Sequence, residues 1–169
     1  MRAPAMIVLS GLALAAAACA TVESSPVTTP PTNSVGAPAP VVGHDWFYHL
    51  DGDAARLVYG LAESDDMRLG LDCDRASGRL VLSAAGGPDA QSWIHIEAGG
   101  ESERFPARSE PSELHDGVFL TAVAATDAPV FQRFRSVGWL ALWQDGELQA
   151  YAPHPESAPD IEKFFTFCG

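Results

Sequence analysis

Residues Arg56–Leu82 read RLVYGLAESDDMRLGLDCDRASGRLVL, three short apolar segments separated by polar, turn-forming ones. In Arg68-Leu69-Gly70-Leu71-Asp72-Cys73 the alternation is that of a strand with one buried face, and it turns Leu69, Leu71 and Cys73 inward. Arg79–Leu82 repeats the pattern after Asp74–Gly78, a five-residue connection whose Gly78 can take the positive φ of a tight hairpin. Upstream, Arg56–Gly60 leads into the polar cluster Glu63–Asp66, which has the composition of a turn. Three successive strands of an antiparallel meander are therefore predicted, with Cys73 at their centre.

Similar signals extend in both directions. Asp45–Leu50 is an aromatic-rich strand that ends at the turn Asp51-Gly52-Asp53. Ser92–Glu97 alternates, placing Ile94 and Ile96 inside and Trp93, His95 and Glu97 outside. It returns through Gly99-Gly100 to Glu103–Pro106, where the proline predicts an edge strand. Val118–Ala124 is a further strand, and Asp145-Gly146 joins Trp139–Trp143 to Leu148–Tyr151 as a hairpin. Two segments carry helical spacing instead. Asp127 is the expected cap of a short helix near 128–136 with Val130, Phe131 and Phe134 on one face. Ser157, with Asp160 three residues on, is the expected cap of a C-terminal helix whose apolar side holds Ile161, Phe164, Phe165 and Cys168. The predicted fold is mainly β, an antiparallel sandwich or partly open small barrel in a single globular domain over 44–169, with these two short helices.

The first 43 residues have a different composition. Arg2, the apolar run Met6–Ala18 and its small-residue end have the layout of an export signal over 1–18, too short and Ala-rich for a spanning helix. Thr21–Gly43 contains five prolines and a single charge, Glu23, so the segment after Cys19 is an extended Pro/Thr-rich tether. In polyproline II its 23 residues reach on the order of 70 Å. Ala16-Ala17-Ala18-Cys19 resembles the lipoprotein box of bacterial envelope proteins, in which the cysteine becomes the first mature residue and carries acyl chains. Ordinary cleavage after Ala18 or Ala20 is the competing reading. Parity of the three cysteines favours lipidation, because acylating Cys19 leaves Cys73 and Cys168 as an even pair for a disulfide in an exported chain. Ala20 in place of an Asp after the lipidated cysteine implies, by the same resemblance, the outer membrane facing the periplasm.

Ten basic against 22 acidic side chains give a net charge of −12, which repels nucleic acid and suits solubility or a basic partner. No cofactor, phosphate-loop or nucleophile motif occurs, and Asp51-Gly52-Asp53 lacks the next ligand of an EF-hand, so neither a cofactor nor a metal is predicted. The five histidines, His44, His49, His95, His115 and His154, are scattered, and a composite site among His49, His95, His115, His154 and nearby acids is the enzymatic alternative. Among four tryptophans, Trp93 is the expected ligand platform because it shares its polar side with His95 and Glu97, and core packing is expected for the others. Tyr59-Gly60, Glu63-Ser64-Asp65, Cys73 and Phe164-Phe165-x-x-Cys168-Gly169 resemble uncharacterised bacterial envelope lipoproteins. A fainter likeness, in architecture alone, is to lipoprotein inhibitors of lysozyme. The expectation is a lipid-anchored, non-enzymatic periplasmic domain that binds a protein or a cell-wall component such as peptidoglycan. The alternatives are an envelope hydrolase or metal-binding protein, or an inhibitor of a basic enzyme.

Overall fold

The computed structural model describes residues 36–113 and 116–169. The predicted signal segment, Cys19 and most of the tether lie outside these residues, as does His115. The meander forms as expected: β1 (His44–Asp51), β2 (Ala54–Leu61), β3 (Met67–Asp74) and β4 (Arg79–Gly86) pair antiparallel in sequence order. Leu69, Leu71 and Cys73 are buried, and Gly78 takes φ 64° in the hairpin between β3 and β4.

Beyond β4 the order in space departs from the order in sequence. Strands β5 (Trp93–Ala98), β6 (Glu101–Pro111), β7 (Val118–Ala125), β8 (Leu140–Gln144) and β9 (Glu147–Tyr151) extend the sheet in the order β1-β2-β3-β4-β7-β6-β5-β8-β9. Strand β6 is central rather than the predicted edge, because it pairs with β5 through Pro106 and with β7 from Ala107 onward. The Ala107 amide donates back to the Ser92 carbonyl at 2.9 Å, so the neighbouring proline nitrogen faces the other way, where no β7 partner has yet begun. The missing donor therefore costs no ladder bond. At the Asp145-Gly146 hairpin both residues have positive φ, 51° and 82°, the type I′ geometry that suits strand twist.

Helices α1 (Pro129–Val137) and α2 (Ala158–Cys168) bury the predicted faces, Val130, Phe131 and Phe134 on one and Ile161, Phe164, Phe165 and Cys168 on the other. Their rings meet at 5.9 Å (Phe131–Phe165 and Phe134–Phe165), and together with inward residues of all nine strands they form one core. Both predicted caps are corrected. The N-cap of α1 is Ala128, with no side-chain cap, rather than Asp127. Ser157 does sit at the N-cap of α2, but its hydroxyl donates to the Asp45 carboxylate instead of the helix amides.

That carboxylate is where the sheet nearly closes. Strands β1 and β9 do not pair, yet the Trp46 indole N–H donates to the Tyr151 carbonyl at 3.0 Å, and Asp45 accepts from the backbone amides of Trp46 (2.8 Å) and His154 (3.0 Å). The Tyr59 and Tyr151 rings stack at 4.5 Å beside this seam. Burial, the largest of several influences, pushes the Tyr151 hydroxyl up to about 12, so it stays neutral. Cys73 and Cys168, with Cα atoms 5.8 Å apart, form the predicted disulfide and tie the end of α2 to β3. The result is a mainly β, nine-stranded, nearly closed antiparallel barrel-like sheet with two helices that pack their apolar faces on its core.

Candidate functional site

A cleft of about 630 Å³ opens where the ends of β4 and β8 meet the start of β5. That volume lies within the range of small-molecule sites. Its floor is the core itself, through Ile94, Leu120 and Leu142. One wall is the connection Gly87–Gln91 after β4, and the opposite wall is the β8–β9 turn with Asp145 and Gly146. The Gln144 side-chain amide ties the two walls by donating to the Ala85 carbonyl at 2.6 Å. Gly86 lets the first wall fold back tightly beside β7, because a Cβ there would lie 2.7 Å from Ala90 Cβ and 3.1 Å from Val118 Cγ2. Gly87 packs against the Asp145 carboxylate, whose oxygens would lie 3.7 and 3.8 Å from a Cβ there.

The rim is built from cross-strand neighbours on the outer face of β6, β5 and β8. His95 lies opposite Arg104 on one side, and next to the Ile96–Leu142 pair on the other, so it meets Trp143 across β5 and β8. The His95 and Trp143 rings stack at 5.6 Å with 15° between their planes, and the Trp143 indole N–H donates to the Glu97 carboxylate at 3.3 Å. The Arg104 guanidinium lies 5.4 Å from the centre of the Trp93 ring. Trp93 and Trp143 are 40% and 36% exposed.

The proton equilibrium of His95 is set by its neighbours on the rim. Burial, and then the Arg104 charge, hold its imidazole below the usual histidine value, while Glu97 pulls the other way. Arg104 Nε–H donates to Nδ1 at 3.4 Å, which makes Nδ1 the acceptor and leaves the proton on Nε2. Nε2 lies 2.8 Å from Ser102 Oγ. In this neutral tautomer His95 donates to the serine, so it is not arranged to take the serine's proton.

The structure thus brings together Trp93, His95 and Glu97, as the strand alternation predicts, and adds partners that the alternation did not reveal. Trp143 is corrected from core to rim. Its strand is apolar on both sides: Leu140 and Leu142 take the main core, and Trp139, 8% exposed, is buried as expected in a second, smaller cluster with Ala141 and Ala152. Trp46 is core. From the sequence Arg104 reads only as a strand residue and Asp145 only as a hairpin residue, and Asp89 carries no signal of its own. The remaining described histidines do not join the cleft: His44 pairs with Asp66 at 3.4 Å, His49 is exposed on β1 opposite Arg56, and His154 contacts Val41 while its amide binds Asp45. Among the described residues no three His, Cys, Asp or Glu side chains are grouped to hold a metal.

Fold and cleft define a class, a disulfide-bonded antiparallel barrel with a solvent-open aromatic cleft at its mouth. No protein family, curated protein or solved structure matches the chain.

Proposed function

We propose that this protein is a lipid-anchored domain of the bacterial cell envelope, attached through Cys19 to the outer membrane and facing the periplasm. It binds a protein or a cell-wall component in the cleft beneath Trp93 and does no chemistry on it. The observation that carries the reading is two indoles held open to solvent over an apolar floor. Leaving such surface exposed costs free energy of burial, which a ligand recovers. The donor tautomer of His95 supports binding over hydrolysis, since a nucleophilic Ser102 would need a base that already lacks the proton. The export-type leader and Pro-rich tether support a domain standing clear of a membrane. No described helix is long and apolar enough to cross one. A net charge of −12 also suits a basic enzyme as the protein partner, which is the inhibitor reading.

The test uses the full-length protein expressed in a bacterial host. Cys19→Ser should move it from the membrane to the soluble fraction. Purified in detergent, the protein should co-sediment with isolated cell-wall sacculi or capture a partner from envelope extract, and Trp93→Ala should reduce that capture at least about tenfold. Capture undiminished by Trp93→Ala would remove the cleft from the account, and a Cys19→Ser protein still on membranes would remove the anchor.

A further inference from the structure

We infer that the cleft takes a glycan of N-acetylated amino sugars, one pyranose face lying on the exposed indole of Trp93. This rests on the cleft's being the binding surface. Charge narrows the ligand first. Asp89 and Asp145 line the cleft, and neither has an ion-pair partner among the described residues. Arg104 lines it too, with its Nε on His95 and its guanidinium beside Trp93 rather than on a carboxylate. The cleft therefore presents acceptors of one sign and a donor of the other side by side, and a ligand of a single charge can use only part of it. A neutral ligand carrying many hydroxyls can use both, donating to Asp89 and Asp145 and accepting from Arg104.

Shape and polarity narrow it further. A pyranose ring has an apolar face of C–H groups that matches an indole, and Trp93 presents one at the rim. Below the polar rim the floor of Ile94, Leu120 and Leu142 offers no hydrogen bond from a side chain. A plain hexose would leave a hydroxyl unpaired there, whereas an acetamido group places a methyl on the floor and turns its N–H toward the carboxylates.

The full mature chain is titrated with the tetramer of N-acetylglucosamine, followed by tryptophan fluorescence and calorimetry. The tetramer of glucose and the zwitterionic dipeptide alanyl-alanine are run beside it. The expected result is saturable binding of the acetylated tetramer, about tenfold or more tighter than the glucose tetramer, as the methyl on an apolar floor requires. Trp93→Ala should abolish it and Asp145→Asn, which keeps the turn, should weaken it about fivefold or more. Val123→Ser, on the exposed outer face of β7, should leave it unchanged. Free acetylated tetramer should also compete the protein off sacculi. If sacculi or an envelope protein bind through Trp93 while the acetylated tetramer does not, the sugar assignment is overturned and the cleft reading stands; binding of alanyl-alanine alone has the same meaning. If the acetylated tetramer binds but Trp93→Ala leaves its affinity unchanged, the placement is overturned. If no ligand of any kind is affected by Trp93→Ala, both fall together.

Discussion

His95 shows how much one residue's neighbours decide. Its ring is stacked on Trp143, its Nδ1 accepts from Arg104, its Nε2 faces Ser102, and Glu97 lies two residues along the same strand. Because its folded-state pKa lies below the unfolded value of about 6.5, the unfolded chain takes up the proton first. The neutral ring's contribution is therefore intact above about pH 6.5 and lost as pH falls below it. Protonation also sets an Nδ1–H against the Arg104 Nε–H, which removes that hydrogen bond. Between pH 7 and pH 5 the fall in Tm should be smaller for His95→Gln than for the parent. The difference is well under about 1 kcal/mol because the ring is half-exposed and screened. Scanning fluorimetry across that range checks it, and identical acid profiles for the two proteins would contradict it. Strand alternation alone placed His95 outward with Trp93 and Glu97. It said nothing of Arg104 or Trp143, because alternation reports which side a residue is on and not which strand lies alongside.

At the scale of elements, the seam between β1 and β9 is held by side chains where a ladder would otherwise run. Asp45 accepts from two backbone amides and the Ser157 hydroxyl, joining the start of β1 to the segment that leads into α2. Asp45→Ala strands those donors and should lower the unfolding free energy by about 2 kcal/mol, with Asp45→Asn losing less. Urea denaturation measures this, and a change below about 0.5 kcal/mol would mean the seam closes without Asp45. The capping-box spacing at Ser157 is misleading for the same reason: a hydroxyl bonds the strongest acceptor in reach, and a carboxylate 112 residues away in sequence is in reach only after folding. Pro106 misled in the opposite direction. Proline does need a position without a ladder partner on its nitrogen side, but a strand that changes partners supplies one in the middle of a sheet.

For the whole molecule, the disulfide is the longest covalent constraint, closing a separation of 95 residues between β3 and the end of α2. Replacing both Cys73 and Cys168 by alanine should cost about 4 kcal/mol through the freed unfolded chain. An unfolding free energy from guanidinium titration within about 1 kcal/mol of the parent's would show that α2 is held by its aromatic face alone. The sequence by itself determined the strands, the hairpins, the buried faces of both helices, the cysteine pair and the outward set Trp93, His95 and Glu97. Each of these is written in local periodicity, turn chemistry or parity. Only the tertiary structure decided that β4 adjoins β7 and β5 adjoins β8, that Trp143 joins the rim, and that Asp89, Asp145 and Arg104 share one cleft. These are contacts between segments distant in the chain, and their formation depends on how the whole core packs, which no short window of residues encodes.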